Sequence, residues 1–106
     1  MRLSTAADIA RAGERHAVDW LRAEGYSIKW KTQTHGSTDI EAQSSSKRLL
    51  VQVKTAVYPT DADRLSAEEE EGITSRAERL GAQAWEARVQ VSSSLDLIGN
   101  VLWRRI

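Results

Sequence analysis

The chain has no cysteine, which excludes a disulfide scaffold and a thiolate zinc site. It has no apolar run long enough to span a membrane. The first residues, Met1 to Asp8, lack the apolar core of a signal peptide, so a cytoplasmic location is the expectation. Net charge is also absent: 15 Lys and Arg balance 15 Asp and Glu, which weighs against a strongly basic nucleic-acid binder. The balance is nevertheless uneven. Residues 1–56 hold nine Lys/Arg against six Asp/Glu, and residues 57–106 hold six against nine. A polyanion-binding face on the N-terminal half fits this asymmetry, and so does a randomly uneven surface. What is present is an ordinary globular composition, 41% hydrophobic and 28% charged, in 106 residues. That length predicts a single domain, residues 1–106, with one modest core.

The most informative stretch runs from Gly36 to Thr55. Two runs that alternate apolar and polar residues flank Ser44-Ser45-Ser46, which reads as a β-hairpin. Residues two apart on a strand share a face. Asp39 and Glu41 therefore point one way on the first strand, and Gln52 and Lys54 share a face on the second, opposite Leu49, Val51 and Val53. Two carboxylates, an amide and an ammonium on a sheet otherwise built from Val, Leu and Ile are more than a structural sheet needs.

Residues 5–24 read as a helix, with Ser4 or Thr5 as N-cap and Gly25 as its stop. Ala10, Ala17, Val18 and Leu21 form the expected apolar stripe, and Glu14 falls inside it. A carboxylate on a buried helix face is costly unless it is paired or metal-bound. Gly13 beside it lowers helix stability by about 1 kcal/mol relative to Ala. Both residues read as concessions to a close approach; the alternative is that Glu14 lies at the stripe edge and reaches water. Tyr26 to Lys31 alternates as a first strand, and Thr32 to Thr38 is a polar loop. Residues 56–65 form a connector containing the only proline, Pro59. Ser66-Ala-Glu-Glu69 is a capping box that opens a second helix with Ile73, Ala77 and Leu80 on its buried stripe and Gly81 as its stop. The run Glu68 to Glu71 reads as helix-dipole complementation rather than a metal site. Trp85 to Val91 and Val101 to Ile106 are two more strands, giving the order α-β-β-β-α-β-β.

Phosphodiester hydrolysis needs an activated water, positive charge near the phosphoryl oxygens and help for the leaving alkoxide. A hard divalent cation held by oxygen ligands supplies much of this. Asp39 is the main candidate ligand, with the Gln52 amide oxygen and the Val53 carbonyl beside it. Glu14 is a further candidate, and Glu41 another. Lys54 would orient the nucleophile or stabilise developing charge.

These residues resemble the PD-(D/E)XK nuclease superfamily, and within it the archaeal-type Holliday junction resolvases. Ala12-Gly-Glu14-Arg15 resembles their first helix, Ser37-Thr-Asp39-Ile-Glu-Ala the strand with the metal-binding Asp, and Leu50-Val-Gln52-Val-Lys54-Thr55 the strand with the Glu-x-Lys triplet. The likeness spans nearly the whole chain. It implies an α/β fold, a restriction-endonuclease-like core with a mixed central sheet flanked by helices. It also implies a Mg²⁺-dependent endodeoxyribonuclease, with Mn²⁺ as substitute, that resolves four-way DNA junctions as a homodimer in recombination or repair. Glu14, Asp39, Gln52 and Lys54 would be its catalytic residues. Arg15, Lys29, Lys31, His35, Ser37, Lys47, Arg48 and Thr55 are the DNA-contact candidates. The sequence departs from the resolvases at Gln52, where they carry Glu; Mrr-like restriction enzymes use Gln there. An Mrr-like or repair-type duplex endonuclease, and a decayed DNA-binding module, are therefore the alternatives. Trp20, Trp30, Trp85 and Trp103 are many for so small a core, which suits a dimer interface.

Overall fold

The computed structural model describes residues 3–32 and 38–106. Helix α1 spans Ala6–Ala23. Thr5 caps it: its hydroxyl accepts from the Asp8 N–H at 3.1 Å, and the Asp8 carboxylate accepts from the Thr5 N–H at 3.0 Å. Strands β1 (Ser27–Thr32), β2 (Thr38–Gln43) and β3 (Arg48–Val57) follow, then helix α2 (Ala67–Leu80) and strands β4 (Gln83–Val91) and β5 (Leu97–Arg105). This is the expected order. The five strands lie in the sheet in chain order. β3 and β4 are parallel, with α2 as the crossover between them, and every other neighbouring pair is antiparallel.

Each helix covers one face. Ala17, Val18 and Leu21 of α1 pack on Ile40, Ala42, Leu49, Val51, Ala87, Val89, Val91 and Val101. Ile73 and Ala77 of α2 pack with Leu65 on Leu50 and Ala84 of the opposite face. The second core is small because much of that face carries polar side chains.

Three expectations are corrected. Ala10 is exposed, and Ala12 and Gly13 are buried instead. The row Leu21, Val18, Glu14, Ala10 thus climbs from full burial to solvent, with Glu14 at its rim. β3 continues to Val57, into the expected connector. β5 begins at Leu97 rather than Val101, because it is an edge strand with much of its length exposed and its apolar alternation is masked. A register shift between Arg88 and Gln90 and a positive φ of 67° at Gly99 break the pattern further.

Gly13 has a specific reason to be glycine. A Cβ there would lie 2.8 Å from both Cβ and Cγ2 of Thr55 and would overlap the Thr55 hydroxyl. The close approach read from the sequence is therefore α1 pressed onto β3.

Candidate active site

Strand register builds the site. Asp39 on β2 stands directly opposite Gln52 on β3, Gln52 opposite Glu86 on β4, and Glu86 opposite Arg104 on β5. This row crosses four strands on the α2 face. Two residues along lie Lys54 and its β4 neighbour Arg88. On the other side Glu41 pairs in register with Leu50. Asp39 and Glu86 are wholly inaccessible to solvent, and Glu41 and Gln52 are nearly so. Buried charges must be paired, and α2 supplies much of the pairing.

Arg76 of α2 grips Asp39 with two prongs, Nε to Oδ2 at 2.5 Å and Nη2 to Oδ1 at 3.0 Å. Glu69, in the first turn of α2, takes the Lys54 ammonium at 2.7 Å. The same Glu69 closes the capping box by accepting from the Ser66 N–H at 2.9 Å. Burial pushes the Glu69 carboxyl up, but the Lys54 and Ser66 hydrogen bonds outweigh it and hold the group below its ordinary range. Glu86 accepts from Arg104 Nη2 at 2.8 Å and from the Leu65 N–H at 2.7 Å, just before the α2 cap. Burial raises this carboxyl, and the Arg104 and Leu65 hydrogen bonds more than reverse the effect. Glu41 lies 3.5 Å from Arg48 Nε.

Glu14 belongs to α1, which packs on the other face of the sheet. Gly13 and Thr55 are in contact, so Glu14 follows the point where α1 touches the strand that carries Lys54. The Glu14 carboxylate pairs with none of Asp39, Gln52 or Lys54. Burial raises its carboxyl, with a smaller opposing pull from Arg11.

Among the described residues, no three of His, Cys, Asp and Glu converge to hold a metal ion. The donor types of the expected site still fit a hard cation. Asp39 offers a carboxylate, and the directly opposite Gln52 has a buried Oε1 with no hydrogen-bond partner among the described residues. An orphaned buried oxygen beside a carboxylate is an acceptor set for a positive group. Val53 follows Gln52, one residue past the end of the β2–β3 pairing. The obstacle to a cation is Arg76, which holds both Asp39 oxygens.

The DNA-contact candidates divide. Arg15, Lys29 and Lys47 are exposed. Lys29 is opposite Glu41 and Lys31 opposite Asp39, which places both positions on the face of the site. Arg48 is engaged internally, donating to the Leu80 carbonyl at 2.7 Å as well as meeting Glu41. Thr55 is packed beneath Gly13. His35 and Ser37 lie outside the described residues. His16 is structural: its Nε2 is 2.9 Å from the Leu95 carbonyl oxygen and ties α1 to the β4–β5 loop.

Sequence reasoning missed Arg76, Glu86 and Arg104, and assigned Glu69 only its capping role. A signal for Glu86 was present. A helix between β3 and β4 implies a parallel pair, and central parallel strands are buried on both faces. Arg76 adjoins the buried Ala77 on α2, and nothing in its spacing marks it as Asp39's partner.

No protein-family model and no curated protein matches the chain. Among solved structures it is similar to Hjc from Archaeoglobus fulgidus, a Holliday junction resolvase from an archaeal hyperthermophile. The sequences are 23% identical, the match covers 87% of this chain and 73% of that one, and the TM-score is 0.60. The chain therefore has a restriction-endonuclease-like α/β fold, a mixed five-stranded sheet flanked by two helices, shared with an archaeal junction resolvase.

Proposed function

We propose that this chain is a metal-dependent DNA endonuclease that cuts four-way junctions by phosphodiester hydrolysis. One observation carries the reading: Asp39 and Gln52 stand opposite each other in a buried row, with Lys54 two residues on and a Gln52 oxygen that has no hydrogen-bond partner among the described residues. The fold shared with Hjc supports it.

Asp39, Gln52 and the Val53 carbonyl would hold Mg²⁺ or Mn²⁺, with Glu14 at the rim. When bound, the ion would polarise the phosphoryl group and activate water. The protein's own contributions are more local. Lys54 is partly exposed, with its ammonium held by Glu69, so it presents a fixed positive charge to an incoming phosphate. The capping box anchors Glu69, and the Glu86–Leu65 hydrogen bond anchors the segment leading into α2, so the position of Lys54 is set by α2 as a whole. Exposed Arg15, Lys29 and Lys47 would neutralise backbone phosphates.

A homodimer, which would pair two sites for two symmetric cuts, is part of the proposal. Trp20 and Trp30 are 41% and 47% exposed, and Leu102 is 53% exposed. Sedimentation showing a monomer at micromolar concentration would sink it.

The decisive experiment incubates a labelled four-way junction and a matching duplex with Mg²⁺ or Mn²⁺, beside Asp39→Asn and Lys54→Ala. Junction-selective nicking lost in both variants is the expected result. Equal cutting of the duplex would instead support an Mrr-like enzyme. Binding without cleavage under either metal would mark a non-cleaving module, the reading that Arg76 on Asp39 favours.

A further inference from the structure

The residue that closes the proposed metal site comes from α2, and its seat is built for it. Arg76 donates from Nε and Nη2 to the two oxygens of Asp39, which is wholly buried. Its third nitrogen, Nη1, lies over Gly72, one turn earlier. A Cβ on Gly72 would come within 3.1 Å of that nitrogen. Glycine is a poor residue inside a helix, and here it leaves the space that the guanidinium uses. Directly opposite Asp39 is the buried Gln52 Oε1, which Arg76 does not reach. The side chain therefore supplies positive charge to one donor of the site and leaves the next one unserved. Arg76 itself is 24% exposed, so it has a path to solvent.

We propose that Arg76 is a cation placeholder: it neutralises Asp39 in the metal-free protein and must leave before a divalent ion can enter. This rests on the metal-dependent reading above. Arg76 takes both oxygens of Asp39, so a divalent ion binding those oxygens would compete with the guanidinium for them and be repelled by it. Metal loading is therefore an exchange of Arg76 for the ion, and Arg76 sets the metal affinity as a positioning residue. The exchange also frees a guanidinium at the edge of the site, where a phosphate can accept it in the same two-pronged geometry. An ordinary structural ion pair would behave differently. Breaking it would cost stability and would leave metal affinity unchanged.

The test is isothermal titration of the whole chain with MnCl₂, using wild type, Arg76→Met, Arg76→Lys and Asp39→Asn. Arg76 occupies both Asp39 oxygens, so a metal ion must displace it and overcome its charge. Arg76→Met is expected to bind Mn²⁺ at least about tenfold more tightly than wild type. Arg76→Lys, which cannot make the two-pronged contact, should fall between them. Asp39→Asn should not bind. Melting adds a second readout: Mn²⁺ should raise the melting temperature of Arg76→Met by more than it raises that of wild type.

Equal or weaker Mn²⁺ affinity in Arg76→Met, with wild type binding measurably, would overturn the placeholder and leave the metal site standing. No Mn²⁺ binding by any folded variant would overturn the metal site itself and the placeholder with it. If Arg76→Met does not fold, Arg76→Lys decides, and affinity equal to wild type refutes the proposal.

Discussion

Replacing Gly13 by alanine adds one methyl group to the face of α1 that rests on β3. Two effects oppose each other. Alanine favours the helix over glycine by about 1 kcal/mol. The new Cβ, however, meets Cβ and Cγ2 of Thr55 at 2.8 Å and overlaps its hydroxyl. Rotating Thr55 moves the hydroxyl and Cγ2 but not its Cβ, so the clash cannot be relieved by a rotamer change alone. Helix and strand must separate by close to about 1 Å to restore ordinary contact. Overpacking of this kind costs about 1–3 kcal/mol, and more where backbone has to move. Because backbone has to move, the cost lies in the upper part of that range, about 2–3 kcal/mol, and the helix gain leaves a net loss of about 1–2 kcal/mol, which for a domain of this size lowers the melting temperature by about 5–15 °C. Glu14 is the next residue, so the same shift displaces it from the strand that carries Lys54. A displacement of about 1 Å can cost about 10²-fold in rate, so nuclease activity should fall further than stability. Thermal denaturation by circular dichroism, with junction nicking at a temperature where both proteins are folded, reads both effects. Gly72→Ala is the internal control. Among the described residues its near neighbour is the flexible end of Arg76, at 3.1 Å, so the helix preference for alanine applies with no backbone clash against it, and stability should be equal to wild type or up to about 1 kcal/mol higher. Gly13→Ala melting at or above wild type would refute the packing argument.

Two further substitutions test the buried acids. Glu86→Gln keeps the shape of the side chain but removes the charge that the Leu65 N–H and two arginines face. It should cost about 1–3 kcal/mol in urea denaturation at pH 7. Because the folded carboxyl lies below its ordinary range, its contribution is complete above about pH 4.5 and is lost as pH falls through the folded value. The gap to wild type should therefore shrink towards pH 3, and a gap of equal size at both pH values would refute this. Glu14→Gln has the opposite sign. Burial raises the Glu14 carboxyl, so its charged form costs stability above the folded value. The variant should be modestly more stable than wild type at pH 7, with no advantage at pH 3, and it should lose nicking activity. A less stable variant at pH 7 would show that the Glu14 charge is paired rather than merely tolerated.

The hairpin, both capped helices and the order of elements along the chain were legible because each rests on local signals: alternation, a capping box, a glycine stop. Asp39, Gln52 and Lys54 were legible as one face because period two fixes sidedness before any tertiary contact is known. What the sequence concealed were the partners. Arg76 is 37 residues from Asp39 and Arg104 is 18 from Glu86, and no local pattern links such pairs. The run Glu68 to Glu71 read as helix-dipole charge, and Glu69 does cap α2. The fold then brings α2 over β3 and β4, so Glu69 also takes Lys54 of β3, and Glu70 comes within 3.5 Å of the long Arg104 side chain from neighbouring β5. The early start of β5 was hidden because exposed edge strands need no apolar alternation, and Gly99 and Asn100 read as loop residues.

The same row explains why glutamine stands at position 52, where the resembled resolvases carry glutamate. Gln52 lies in register between Asp39 on one side and Glu86 on the other, and both carboxylates are fully buried. A third carboxylate would stand directly across from like charges on both neighbouring strands, an arrangement that destabilises a sheet. The cations nearby already have acids of their own: Arg76 serves Asp39, Lys54 meets Glu69, and Arg104 serves Glu86. Arg88 shares Glu86 with Arg104, at 3.6 Å, so a glutamate at 52 would draw on cations that these acids already use. An amide gives up the charge and keeps the oxygen, and that oxygen is a buried acceptor with no hydrogen-bond partner among the described residues. A neutral residue at 52 thus suits the buried Glu86 beside it. In the proposed metal site, the fixed negative charge would be concentrated on Asp39, the carboxylate that Arg76 covers.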